Sequence, residues 1–193
     1  MDYFNITGTT KEWIILFHGT GGNEYTLLQI AGDFAPQASM QSFLGDVGEG
    51  ESRRFFEPLK QGQLDRVDFE SRVDAFLANW ETVKPSDATS ITFMGYSNGA
   101  NFILGLLEKQ PAIADRVILL HPSNLNYTFE QTAPVEVYIT TGALDGLSVP
   151  GDTVKLAKQL ENVFPRTTLK LLDGTHAISE QEIEYLQQTF KRS

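Results

Sequence analysis

The sequence predicts an α/β protein: a mostly parallel central sheet of about six or seven strands with helices on both faces. Two observations carry that prediction. Short β-rich runs alternate with longer amphipathic ones along the chain, the pattern of strand–helix–strand units whose crossovers cover both faces of a parallel sheet. The clearest strand, residues 13–17 (Trp-Ile-Ile-Leu-Phe), is apolar at every position, as a strand buried on both faces must be.

The other elements follow in order. Residues 3–6 read as a short edge strand. Gly21-Gly22-Asn23 breaks the chain after the 13–17 strand, and Leu27, Ile30, Ala31 and Phe34 then recur at helical spacing up to Pro36. Residues 38–44 read as the next strand. Residues 45–62 have no clean period and are rich in glycine and charge, so they form a long loop, a kind of segment that tends to be functional or mobile. Residues 66–84 form a strong helix, with Phe69, Val73, Phe76, Leu77 and Trp80 in one stripe and Pro85 past its end. Residues 91–96 are a strand. Residues 98–109 are a helix whose middle is apolar all round, hence buried. Strands at 117–120, 135–140 and 168–172 follow. A helix over 152–164 has Asp152 placed to cap it. The last helix opens on Ser179-Glu180-Gln181-Glu182, read as a capping box in which Glu182 reaches back to Ser179, with Ile178 and Ile183 as a hydrophobic staple.

Composition narrows the function. The 193 residues suit one domain over 1–193 with a sizeable core. No cysteine is present, which excludes disulfides, thiolate metal sites and a cysteine nucleophile. A net charge of −10 argues against a nucleic-acid partner, since such proteins gather Lys and Arg. No apolar run approaches a membrane span, and Met1 to Asn5 lack the basic start and apolar stretch of a signal peptide, so stable membrane insertion is not expected and the cytosol is the default address. No metal or other cofactor is expected. Whether the protein is a monomer or a homodimer is left open.

In a parallel α/β sheet the ligand sits at the carboxyl ends of the strands. The loop after strand 91–96 reads Gly95-Tyr96-Ser97-Asn98-Gly99, a G-x-S-x-G pattern between a strand and a helix. Such a turn lifts a serine hydroxyl out of the sheet in a strained backbone conformation, and side chains at the flanking glycines would strike neighbouring backbone. A serine nucleophile needs a base, and the base needs an orienting carboxylate, in the chain order Ser, Asp or Glu, His. Of the three histidines, His18, His121 and His176, only His176 follows the last strand. The strand before it ends in Thr141-Gly142-Ala143-Leu144-Asp145. Asp145 is preferred as the acid over Asp152, which has a helix to cap. The expected triad is Ser97, Asp145 and His176. Oxyanion donors come from the amide of Asn98, the residue after the nucleophile, and from the glycine-rich loop His18-Gly19-Thr20-Gly21-Gly22, with Thr20 as the second donor. His18 is read as shaping this loop rather than as a base.

Together these residues resemble the α/β-hydrolase superfamily, and within it the small bacterial carboxylesterase/phospholipase group related to acyl-protein thioesterases and dienelactone hydrolases. The segments that carry the resemblance run from Leu16 to Glu24, from Gly95 to Asn101, from Thr141 to Asp145 and from Gly174 to His176; Arg54-Phe55-Phe56 matches a segment common in the group's second long loop. The resemblance implies a serine hydrolase that cleaves carboxylic esters through an acyl-enzyme on Ser97, acting on a small-molecule ester. Acyl-thioesterase or lysophospholipase activity is the alternative. A non-catalytic small-molecule receptor on the same fold ranks lower, because every expected triad member is present. Dienelactone hydrolases proper use a cysteine, which this chain lacks. The 120–135 span leaves no room for a large cap domain, so any lid comes from the 45–62 loop. In that loop two readings stand: Phe55 and Phe56 anchor it to the core while Arg53 and Arg54 pair with Glu49, Glu51 or Glu57, or Phe55 or Phe56 walls the acyl pocket and an arginine such as Arg54 meets a polar substrate group.

Overall fold

A seven-stranded sheet organises the computed structural model, which describes residues 1–190. The expected domain runs to 193, and its last three positions lie outside the described residues. The strands are β1 (Tyr3–Ile6), β2 (Glu12–Phe17), β3 (Ser39–Phe43), β4 (Ser90–Tyr96), β5 (Arg116–Leu120), β6 (Glu136–Gly142) and β7 (Arg166–Leu172). They lie in the order β1-β3-β2-β4-β5-β6-β7. The β1 edge is antiparallel to β3, and every other pair is parallel. The helices are α1 (Leu28–Phe34), α2 (Arg66–Val83), α3 (Asn98–Lys109), α4 (Pro150–Glu161) and α5 (Glu180–Phe190). The β5–β6 connection, residues 121–135, holds neither helix nor strand, so no cap domain covers the sheet there.

Strand side chains alternate between two cores, as a pleated sheet covered on both faces requires. Ile15, Phe17, Phe93, Val117, Leu119, Val137 and Ile139 face α2, α3 and α4. Ile14, Leu16, Met94, Ile118 and Leu120 face α1 and α5. The first core is strongly aromatic: Phe17 packs its ring at 5.5 Å from those of Phe43, Phe55, Phe76 and Phe93. Each fully buried phenylalanine contributes about 1.5–3 kcal/mol of transfer free energy. Residues 98–107 of α3 are all buried, in accord with the apolar run over 102–107, and they include the polar Asn98 and Asn101.

The parallel register brings the strand ends level. Phe17 pairs with Gly95, Tyr96 with Leu120, Leu120 with Thr140 and Gly142 with Leu172. The loops beyond these residues therefore meet at one rim. The chain leaves β2 towards β3 on one side, while β4 lies on the other, so the crevice between β2 and β4 is the switch point where such sheets bind ligands.

Two terminal readings are corrected by the structure. The fourth helix starts at Pro150, with Val149 as its N-cap, because proline is pre-set for the first helical position. Asp152 thus lies in the first turn and caps nothing; its carboxylate pairs with Lys155 at 2.9 Å, in solvent. At the last helix the Ser179 hydroxyl does accept from the Glu182 amide, at 3.2 Å. The Glu182 carboxylate does not return to Ser179. It points inward and is fully buried, which breaks the capping box in half.

Candidate active site

Ser97 sits at the sharp turn between β4 and α3. Its φ and ψ are 51° and −109°, a region that costs a non-glycine residue about 1–3 kcal/mol and persists only where surroundings enforce it. The enforcement is visible. The Ser97 amide donates to the Leu120 carbonyl at 2.8 Å. A Cβ on Gly99 would lie 2.1 Å from the Phe17 carbonyl oxygen, and one on Gly95 would lie 2.6 Å from the Gly99 backbone. Only glycines let β2, β4 and α3 approach this closely, and that approach aims the serine hydroxyl out of the sheet.

His176 lies on the β7–α5 loop, half-buried. Its Nε2 is 2.8 Å from Ser97 Oγ, and its Nδ1 is 2.8 Å from Asp145 Oδ2. A carboxylate can only accept, so Nδ1 carries the proton and Nε2 presents its lone pair to the serine hydroxyl. The Tyr96 hydroxyl donates to the His176 carbonyl at 2.9 Å, which fixes the loop from below. Burial raises the Tyr96 phenol, and the nearby Glu182 and Asp145 carboxylates raise it further, so it stays a donor. Asp145, 3% exposed, is held from the other side by the amides of Leu147 at 2.9 Å and Ser148 at 2.8 Å, both on Oδ1. Burial pushes its carboxyl up; the Ser148 amide, His176, His121 and the Leu147 amide together outweigh burial and leave it below the ordinary carboxylate value. Asp145 is therefore ionised at neutral pH.

A third group shares this carboxylate. His121, at the end of β5, places Nδ1 3.0 Å from the same Asp145 Oδ2 and Nε2 3.1 Å from Glu182 Oε2. The other Glu182 oxygen accepts the Thr140 hydroxyl. Reasoning from sequence set His121 aside and gave Glu182 a local role. The available signal was that His121, like His18, closes an apolar strand at the rim where the ligand binds. His121, Asp145 and His176 offer ligand-type atoms within 4.8 Å of one another. Both Nδ1 atoms converge on one carboxylate oxygen, however, which is the geometry of two N–H donors on one acceptor rather than of ligands around an ion.

The N-terminal side of the site is made differently. Thr20 and Asn98 both line the cavity that contains Ser97 and His176. Neither backbone amide has a partner among the loop and turn hydrogen bonds of the described residues. His18 is buried with Nδ1 2.7 Å from the Gly19 carbonyl, and its Nε2 accepts from the Gly45 amide at 3.0 Å. Burial is the largest influence on this ring and lowers its basicity, so it remains a neutral tie between the loops after β2 and β3.

The cavity measures about 220 Å³. Phe56, Leu59, Leu125 and Leu147 give it apolar walls, and Arg54, Asn101, Ser123 and Ser148 give it polar ones. Phe55 is not among them, contrary to one of the two sequence readings. Its ring is fully buried, stacked 5.3 Å from Phe102 and tilted 4.7 Å from His18; its amide donates to Asn98 Oδ1 at 2.7 Å. Phe56, likewise buried, packs edge-on against Phe69 at 4.9 Å and also reaches the cavity. The expected ion pairs of the loop are also not those formed: Arg53 donates to the Gly45 carbonyl, and Arg54 pairs with no carboxylate among the described residues. The Arg54 Nε and the Asn98 Nδ2 are buried with no hydrogen-bond partner, and burial lowers the basicity of Arg54, against the opposing charge of Glu57.

No family model matches the chain. "Putative hydrolase MhqD" of Bacillus subtilis (strain 168) is 28% identical over 191 residues, covering 96% of each chain. The crystal structure of a Bacillus cereus carboxylesterase superposes with a TM-score of 0.88 at 28% identity, over 100% of this chain and 94% of that one. The chain has the α/β-hydrolase fold. At the level of fold alone the hydrolase also matches Zea mays acyl-protein thioesterase 2, with a TM-score of 0.76 at 16% identity, over 99% and 98% of the two chains. No helix of the hydrolase is long and apolar enough to cross a membrane among the described residues.

Proposed function

We propose that residues 1–193 act as one serine-hydrolase domain that cleaves small carboxylic esters, with Ser97 as nucleophile, His176 as base and Asp145 as its orienting acid. The observation that carries this reading is the unbroken line from Ser97 Oγ to His176 Nε2 to His176 Nδ1 to Asp145 Oδ2, with both hydrogen bonds at 2.8 Å. Ser97 Oγ attacks the ester carbonyl as His176 Nε2 takes its proton. The Asn98 and Thr20 amides, free of other partners, hold the oxyanion of the tetrahedral intermediate; one such donor is worth about 10²–10³ in rate. The proton on Nε2 passes to the leaving alkoxide as the C–O bond breaks, leaving an acyl group on Ser97. Water then attacks the acyl carbon, giving its proton to His176, and the acid departs as the proton returns to Ser97 Oγ.

Arg54 and Phe56 form the substrate pocket in this reading. Two buried donors without partners, Arg54 Nε and Asn98 Nδ2, favour a substrate that brings hydrogen-bond acceptors of its own, since an unsatisfied buried donor costs about 1–3 kcal/mol. The volume of about 220 Å³ favours short acyl groups. The substrate is met in the cytosol in this reading, which fractionation tests. Covalent labelling tests the chemistry: a fluorophosphonate should modify Ser97 of the folded protein, and mass mapping to another serine refutes the assignment. A series of p-nitrophenyl esters and acyl-thioesters then separates esterase from thioesterase activity, with Ser97→Ala as control.

A further inference from the structure

Asp145 Oδ2 receives two imidazoles, and only one of them reaches Ser97. His121 stands behind the line of the triad, 2% exposed, in a left-handed conformation at φ 50° that is uncommon for residues other than glycine and asparagine. Its own backbone is tied on both sides: the amide donates to the Thr140 carbonyl at 3.1 Å, and the carbonyl accepts the Ser148 hydroxyl at 2.9 Å. The ring therefore has a fixed place, with a carboxylate oxygen at each nitrogen, Asp145 at 3.0 Å and Glu182 at 3.1 Å. A neutral imidazole has one donor and one lone pair, and a lone pair cannot face a carboxylate without repulsion. Between two carboxylates, both nitrogens would carry protons, making His121 an imidazolium. Glu182 is held in turn by the Thr140 hydroxyl. The other ionisable groups packed on His121 are His176, its ring centroid 5.4 Å away, and Tyr96, 6.0 Å away.

The connectivity closes a ring. Asp145 bonds His176, the chain runs from His176 into α5 at Glu182, Glu182 bonds His121, and His121 returns to Asp145. The loop that carries the base is thereby pinned to one carboxylate at both ends. We propose that His121 and Glu182 are positioning residues for the hydrolysis: His121, as a buried imidazolium, fixes Asp145 Oδ2 towards His176, and Glu182 keeps His121 charged and anchors the His176 loop through α5. This rests on the triad reading above.

The test combines kinetics on a p-nitrophenyl ester with fluorophosphonate labelling and ¹⁵N NMR of the histidine rings. His121→Ala and Glu182→Ala should each lower kcat by about 10–100-fold, the range seen when supporting partners of a reactive group are removed, with KM within about twofold. Glu182→Gln should keep kcat within about threefold of the parent. Its amide can donate to His121 Nε2 and its oxygen can accept from Thr140, so the geometry survives while His121 becomes neutral. In the parent at pH 7 both ring nitrogens of His121 should be protonated; in Glu182→Gln only one should be. The proposal is overturned if folded His121→Ala or Glu182→Ala turns over at the parent's rate, if Glu182→Gln falls as far as Glu182→Ala, or if His121 in the parent carries a single proton at pH 7. Failure of the triad reading would look different: the parent itself would show no labelling of Ser97, whatever the state of His121.

Discussion

The two halves of the site are built from different materials. On the side of β5, β6 and β7, side chains do the work: Asp145, His121 and Glu182 are each 3% exposed or less, and every nitrogen and carboxylate oxygen described above has a partner. On the side of β2, β3 and β4 the cavity is lined by Thr20, Asn98 and Arg54, and the buried Asn98 Nδ2 and Arg54 Nε have no hydrogen-bond partner among the described residues. The difference follows from what each half must do. A base and its orienting acid need one fixed tautomer and orientation, and mutual hydrogen bonds in a dry environment fix them. A binding surface must leave donors open for a ligand that arrives later. The first half has its hydrogen bonds made within the protein, whereas the second leaves Arg54 Nε and Asn98 Nδ2 without partners among the described residues.

The largest effects should come from breaking the charged half. Ser97→Ala and Asp145→Asn should each lower kcat by about 10⁴-fold or more, the loss expected when a nucleophile or the orientation of its base is removed. Asp152→Asn, altering an exposed carboxylate paired only with Lys155, should leave kcat within about twofold on surface-pair energetics. Steady-state kinetics on one p-nitrophenyl ester ranks all three, and an equal loss at Asp152 would move the acid there. Ser97→Gly should also melt at a higher temperature than Ser97→Ala, because glycine tolerates the φ of 51° that strains alanine.

A second set of variants separates core from cavity within the 45–62 loop. Phe55→Ala should cost about 3–5 kcal/mol of stability, as buried phenylalanines do, while the ranking of acyl lengths stays that of the parent. Phe56→Ala removes a cavity wall and should change that ranking as well, by about 1–3 kcal/mol in specificity ratios. Denaturant unfolding beside a chain-length series reads both quantities, and an altered ranking in Phe55→Ala alone would reverse the two roles.

Proton linkage gives a smaller effect with a definite sign. Burial pushes His121 down, but its bonds to Glu182 and Asp145 raise it above the ordinary value of 6.5. A raised base supports folding fully below its unfolded value and loses that support as pH climbs through its folded value. Asp145 is lowered from 3.8, so its support is present above that value and fades as pH falls below it. Melting temperature should therefore decline from about neutrality upwards and again in acid. His121→Gln should flatten the alkaline decline and weaken the acid one, since the His121 bond is among those that lower Asp145. The smallest effect belongs to the open half: Thr20→Val keeps the amide and should leave kcat within about threefold, and a hundredfold loss would shift the second oxyanion donor from the amide to the hydroxyl.

Some of this architecture is written locally and some is not. Residues 13–17 announce a strand buried on both faces because every position is apolar. The limits of α3 follow from Gly95-Tyr96-Ser97-Asn98-Gly99 and the run after it. Chain order singles out His176, since it alone follows the last strand. These features depend on neighbours within a few residues, where sterics and hydrophobic period act. The start of α4 was legible too: Pro150 is a first-position signal, and reading Asp152 as the cap overlooked it.

What the chain could not declare for itself is which side chains meet across loops. Ser-x-x-Glu describes Glu182 equally well as a capping partner or as a buried anion, and the choice depends on His121, 61 residues away in sequence. Phe55 and Phe56 are both buried in the core, but only Phe56 also lines the cavity, and where Asn98 and Phe102 stand to receive Phe55 sets that difference. Sequence determined the strands, the turn that lifts Ser97 and the order of the reactive residues, because those rest on local geometry. The tertiary structure alone decided the shared carboxylate, the buried imidazole and the open donors. A hydrogen bond between distant loops exists only once the parallel register has brought the strand ends level.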